Sequence, residues 1–213
     1  MIYILNYEAG NIKSIVRAID KLGYEYQVIK NYSKEINNHN ILLIPGVGNF
    51  YKSSMRLKES GFFNLNKSTP QTRPYIIGIC LGMQLLFSKG FEGGESKGLG
   101  ILKGTIQKTP LKDSENKLIK ETLIGWESLR MEENEHIPSW LYKFKDSSFY
   151  HIHGYMACPQ EKKNIYARYP GNLSIIPSIV GCNLNRTLGF QFHPEKSGVI
   201  GLELLNEAIK NAN

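Results

Sequence analysis

Cysteine is scarce: Cys80, Cys158 and Cys182 are the only three in 213 residues, widely spaced and without a Cys-x-x-Cys pair. A disulfide framework and a cysteine-based zinc site are thereby excluded, no metal is expected, and at least one thiol needs another explanation. Long apolar runs are also missing. The longest, such as Ile41–Ile44, are far too short to cross a bilayer. The opening MIYILNYEAG has no basic segment followed by a long apolar core, so a cytoplasmic protein with no membrane partner is expected. Internal repeats, low-complexity tracts and Pro/Ser-rich linkers are absent, which excludes solenoids and arrays of linked modules.

Charge is unbalanced without being concentrated. Lys and Arg number 26 against 19 Asp and Glu, a formal charge of +7, yet the stretch Glu161-Lys162-Lys163 is about as dense as the lysines become. Nucleic-acid binding needs a basic stripe or patch, so no nucleic acid is expected as a partner. A basic mouth facing an anionic substrate or an acidic partner is equally consistent with this charge. The 41% hydrophobic and 21% charged content is ordinary for a globular protein, and the length suits one full core, so residues 1–213 are read as one domain.

The first half alternates short apolar runs with segments of helical period, the pattern of βαβ units in an α/β fold with a parallel sheet. Strands are expected at residues 2–5, 26–29, 41–44 and 75–79. A helix is expected over 11–23, with Ile12, Ile15, Val16, Ile19 and Leu22 on one face and Asn11 as N-cap, and another over about 50–65. The second half changes character near residue 100. Strands at 101–107, 149–152, 165–169, 174–182 and 187–192, with a turn at 183–185, should be mostly antiparallel, and a helix over 202–209 closes the chain.

Three short segments carry chemistry. Gly78-Ile79-Cys80-Leu81-Gly82 sets a cysteine between glycines at the end of a strand and the start of a helix. This is nucleophile-elbow spacing: the sharp turn strains the nucleophile's backbone, and side chains at the flanking positions would collide. The helix N-terminus would favour the thiolate, and the Leu81 N–H would be free to hold an oxyanion. A second segment, Phe192-His193-Pro194-Glu195, supplies a base and an orienting carboxylate, which a cysteine nucleophile needs to lose its proton and later return it. In the third, Pro45-Gly46-Val47-Gly48, two glycines let backbone amides turn toward a ligand; no Gly-Lys-Ser/Thr follows, so it is not a P-loop. Singly, each segment is compatible with a buried structural cysteine, a satisfied surface histidine or a plain turn.

Taken together, PGVGNF, GICLGMQLLF and FQFHPEKSG resemble the class I (triad) glutamine amidotransferases. The opening Tyr7-Glu8-Ala9-Gly10-Asn11-Ile12-Lys13-Ser14 makes the chain similar, over its whole length, to the HisH-type glutaminase subunits of imidazole glycerol phosphate synthase. The resemblance implies a flavodoxin-like, mostly parallel central sheet flanked by helices, with an additional antiparallel region. It implies L-glutamine as substrate, no cofactor, Cys80 as nucleophile through a glutamyl thioester, His193 as acid/base and Glu195 as its partner. Gly48 and Gln84 would contact glutamine, Val47 and Leu81 would offer oxyanion-hole amides, and Gly154 and Tyr155 fall in a segment near the glutamine pocket. The partner implied is a HisF-like (β/α)8-barrel cyclase subunit in a heterodimer, receiving ammonia through a tunnel.

Two segments depart from that pattern. Thr122-Leu123-Ile124-Gly125-Trp126-Glu127 keeps only Gly-Trp of the usual Pro-His-Met-Gly-Trp-Asn, and His153-Gly154-Tyr155 replaces His-Ser-Tyr. An alternative partner is therefore an amidotransferase of cell-surface sugar biosynthesis, fed by a paralogue of the same type. From other classes, a DJ-1/PfpI-like cysteine hydrolase would not need the late His-Pro-Glu, and a non-catalytic binding module would leave Cys80 unreactive toward glutamine-analogue alkylators. Cys158 and Cys182 are read as small hydrophobes in strands.

Overall fold

A computed structural model describes residues 1–8, 12–33, 35–110, 122–170 and 173–212. Its elements begin with β1 (Ile2–Leu5), α1 (Ile12–Leu22), β2 (Tyr26–Ile29), β3 (Ile41–Ile44), α2 (Phe50–Glu59), β4 (Tyr75–Ile79) and the single turn α3 (Leu81–Gln84). There follow β5 (Phe87–Gly90), β6 (Ser96–Lys97), β7 (Leu102–Lys108), β8 (Leu123–Ser128), β9 (Arg130–Met131) and β10 (Ser148–His153). The chain ends with β11 (Tyr155–Pro159), β12 (Ile165–Arg168), β13 (Pro177–Cys182), β14 (Thr187–Phe190) and α4 (Gly198–Lys210).

Eight strands form the central sheet in the order β2-β1-β3-β4-β14-β13-β12-β9; β11-β7-β5-β6 and β10-β8 form smaller sheets. All four residues of β3 are buried, as an unalternating apolar strand covered on both faces requires. On one face Ile15 and Ile19 of α1 and Leu204 and Leu205 of α4 pack with Ile4, Leu43 and Ile77. On the other, Phe50 and Leu57 of α2 and Phe87 of β5 pack with Leu42, Ile44 and Ile76.

Several expectations need correction. The helix over 50–65 is split: Ser60 caps α2 by donating its hydroxyl to the Arg56 carbonyl at 2.8 Å, Gly61 turns the chain, and a 3-10 segment follows at Phe62–Lys67. The second half is mostly antiparallel, as expected, with two parallel exceptions. β14 lies beside β4 in parallel, with Gly189 opposite Gly78 and Phe190 opposite Ile79, and β5 also pairs in parallel with β7. β14 has the composition of a central strand, buried at all four positions, and its place is in the same sheet as the first-half strands. The strand expected at 174–182 begins at Pro177, and α4 begins four residues earlier than expected, at Gly198. Asn11, the expected N-cap of α1, lies outside the described residues. Among the described residues no helix is long and apolar enough to cross a membrane.

Candidate active site

Parallel pairing of β4 with β14 brings their C-terminal ends together, where open α/β sheets gather their ligands. Cys80 follows β4 directly, and its N–H donates to the Phe190 carbonyl at 2.7 Å. The Cys80 backbone has φ 52 and ψ −110, a conformation disfavoured for any residue with a Cβ. The glycines beside it are there for closeness: a Cβ on Gly82 would lie 1.8 Å from the Ile44 carbonyl oxygen, and one on Gly78 would lie 2.7 Å from Met83 backbone atoms. This is the strained turn expected from the spacing. The helix behind it is smaller than expected, however. α3 is a single turn, so the local amides, rather than a long helix dipole, polarise the site.

The segment after β14 carries His193, whose Nδ1 lies 2.7 Å from Glu195 Oε1. Both side chains are almost wholly buried, at 1% and 5% exposure. The loop is fixed by a closed circuit: His193 N–H donates to Tyr150 O at 2.9 Å, Tyr150 N–H to Ser197 Oγ at 2.9 Å, and Ser197 Oγ–H to His193 O at 2.6 Å. His193 Nε2 makes no conventional hydrogen bond among the described residues. Besides Glu195, Cys80 interacts with this ring. Burial alone would depress the imidazole's pKa, but the negative sulfur of Cys80 and the Glu195 carboxylate together outweigh it and raise it.

A cavity of about 350 Å³ opens on Cys80. Val47, Gly48, Leu81, Gln84, Gly154 and Tyr155, all expected site residues, line it. His193 and Glu195 do not. Gly48 has φ +117, so its backbone presents groups that an L-residue would not. Tyr7, noted in the sequence only as part of a motif, donates its hydroxyl to Pro45 O at 2.7 Å and braces the Pro-Gly-Val-Gly loop.

Two further features were not apparent in the sequence. Glu92 lines the cavity and accepts the Phe50 N–H at 2.7 Å, which anchors the carboxylate at the start of α2; burial raises its pKa, opposed by that bond. Its only sequence signal is an acidic residue in a glycine-rich turn. The other feature lies beneath Gly154, where Tyr169 OH bridges His151 Nδ1 and His153 Nε2, the latter at 2.7 Å. His153 Nδ1 donates to the Tyr155 carbonyl at 2.9 Å. Burial first, then neighbouring imidazoles, push His151 down to about 2; burial pushes His153 down to about 4, against the Tyr155 carbonyl. Both rings are neutral props of the pocket wall.

A cysteine on a strained elbow, backed by a buried His–Glu pair at the end of a doubly covered sheet, defines a nucleophilic acyl-transfer type of site. Comparison with known proteins narrows this. The family model for class-I glutamine amidotransferases matches residues 3–210. The chain is 38% identical to the Lactococcus lactis imidazole glycerol phosphate synthase subunit HisH over 205 residues, covering 96% of this chain and 95% of that one. It is 32% identical to the Geobacillus thermodenitrificans HisH, with 98% and 95% covered. It is 35% identical to Campylobacter jejuni (strain RM1221) HisH 1, with 99% and 100% covered. The fold is shared with PurLQS of Thermotoga maritima at a TM-score of 0.70 and 16% identity, covering 100% of this chain and 98% of that one. The chain belongs to the class-I glutamine amidotransferase family, and is a glutamine-hydrolysing enzyme subunit.

Proposed function

We propose that the chain is the glutaminase subunit of an imidazole glycerol phosphate synthase, hydrolysing L-glutamine to glutamate and ammonia for a (β/α)8-barrel cyclase subunit. The synthase would release imidazole glycerol phosphate and AICAR in histidine biosynthesis. The observation that carries this reading is the Cys80 elbow held against the buried His193–Glu195 pair, in a chain whose full length aligns with HisH subunits.

In this reading Cys80 Sγ attacks the side-chain carboxamide carbon of glutamine, and the oxyanion is held by the Val47 and Leu81 amides. His193 takes the thiol proton and returns it to the departing nitrogen, leaving a glutamyl thioester. It then activates the water that releases glutamate, while Glu195 holds its Nδ1–H. Gly48, Gln84, Gly154 and Tyr155 wall the glutamine pocket. The anchored Glu92 carboxylate is complementary to the α-ammonium of an amino acid. Ammonia released into water would be protonated and lost, so a closed route to the acceptor is needed.

An exposed apolar strip supports a partner at this place. Ile124 and Trp126 of β8 stand opposite Ile152 and Tyr150 of β10, and Ile124, Trp126 and Ile152 are 58%, 55% and 39% exposed. Ile152 also lines the cavity, so this strip meets its rim. Glutamate release by the purified chain, alone and with the cyclase subunit and its ribonucleotide substrate, tests the proposal. Strong stimulation is expected. Absent stimulation, with Cys80 still labelled by a glutamine-analogue alkylator, would overturn the cyclase as partner and favour the sugar-pathway acceptor.

A further inference from the structure

We infer that Gln191 is a positioning residue of the site, one amide that orients the substrate-pocket residue Gln84 and at the same time directs an N–H at the Cys80 sulfur. The inference deepens the proposed glutaminase reading and rests on it for the substrate alone.

The argument starts from a group with no choice of role. The Tyr155 backbone carbonyl can only accept, so the Gln84 atom 3.1 Å from it must be the amide nitrogen. The same nitrogen lies 3.2 Å from the side-chain oxygen of Gln191. Both hydrogens of Gln84 Nε2 are thus assigned, one to each acceptor, and its Oε1 is left as an acceptor on a residue that lines the cavity. With Gln191 Oε1 committed to Gln84, its nitrogen is the atom that faces Cys80, 3.9 Å from Sγ. Flipping the Gln191 amide would set two donors against each other at Gln84 and an oxygen against the sulfur.

The contact has an opponent. Cys80 Sγ also lies 3.9 Å from the Ile152 carbonyl, an acceptor that favours the protonated thiol. The Gln191 N–H favours the thiolate. Gln191 is fully buried, with 0% exposure, so water does not replace it. Its backbone N–H donates to Ser178 O at 2.9 Å, which ties the residue to the neighbouring strand. One buried amide therefore couples the nucleophile to the wall of the glutamine pocket.

The test is the pH dependence of Cys80 alkylation by iodoacetamide in the full chain, read by mass on the Cys80 peptide, for the wild type, Gln191→Met and Gln191→Asn. Met keeps the length without polar atoms. Asn keeps the amide but is too short to span both partners, and carries the test should Met not fold. The profile midpoint should move up by about 0.5–1 pH unit in either variant, from loss of one donor to a charged group. KM for glutamine should rise about threefold to tenfold as Gln84 is released. A rate reduced equally at every pH, or midpoints that coincide with the wild type, overturns the inference. Alkylation needs no glutaminase activity, so the midpoint tests the role of Gln191 separately from the glutaminase reading, which the glutamate-release assay of the wild type with its partner tests.

Discussion

Acidification from pH 6 to pH 5 should remove about 2.4 kcal/mol of folding stability, through two histidines placed under the pocket wall. His151 and His153 are buried and neutral, with pKa values of about 2 and about 4 against 6.5 for an exposed imidazole. Their folded values are depressed, so the stability they confer is fully present above pH 6.5 and is lost as pH falls, because the unfolded chain binds protons that the folded one refuses. Over this interval each unfolded imidazole carries most of a proton that its folded counterpart lacks, about 1.2 kcal/mol per histidine. His193 acts in the opposite sense, since its pKa is raised. Its contribution is present below 6.5 and fades as pH rises, so it is nearly constant between pH 6 and pH 5. Urea unfolding at pH 6.0, 5.5 and 5.0 should show this loss in the wild type and about 1.2 kcal/mol in His151→Phe, which removes one of the two groups. Phenylalanine suits the site, because the His151 ring already packs 4.5 Å from Tyr169 and 5.3 Å from Phe192. Equal slopes in the two proteins would refute the reasoning.

Other expectations follow from the elbow and the pocket. Cys80→Ala should abolish glutamate release while leaving the fold intact and the partner's reaction with added ammonium unimpaired; loss of the ammonium-driven reaction as well would show that Cys80 has another role. Cys80→Gly should be more stable than Cys80→Ala by about 1 kcal/mol, measured by denaturant unfolding, because glycine relieves φ 52 at that position. Glu195→Gln should cost less in kcat than His193→Ala, since the Tyr150–Ser197 circuit still holds the histidine loop. Glu92→Gln should raise KM for glutamine about tenfold or more with little change in kcat, checked by steady-state glutaminase kinetics.

The parts of this molecule that were legible in sequence are those in which one short stretch states its own geometry. Ile41–Ile44 and Tyr75–Ile79 are strands at the expected bounds because unalternating apolar runs fit only a doubly covered sheet. The Cys80 elbow was visible because its glycines are dictated within five residues, and His193 and Glu195 because they are two apart. Residues whose meaning depends on a distant partner were not legible. Glu92 matters through Phe50, Tyr169 through His151 and His153, and Gln191 through Gln84, and none of these pairings leaves a local pattern. The parallel placement of β14 was hidden for the same reason, since the strand forms a hairpin with β13 on one side and meets β4 only in space. The break after α2 turns on a serine whose hydroxyl competes for helix carbonyls, a choice that the apolar period does not record.

The position of β14 also sets a timetable. It sits in the interior of the eight-stranded sheet, between β4 and β13, although it follows every other strand of that sheet in sequence. Until it inserts, β4 has an unpaired edge and the Cys80 N–H lacks the Phe190 carbonyl that accepts it. Such an edge is a template for pairing with other chains, and closing it requires contacts more than a hundred residues apart, which form slowly. Chains are thus without a completed Cys80 turn and at their most aggregation-prone over the same interval, and a single strand insertion ends both conditions.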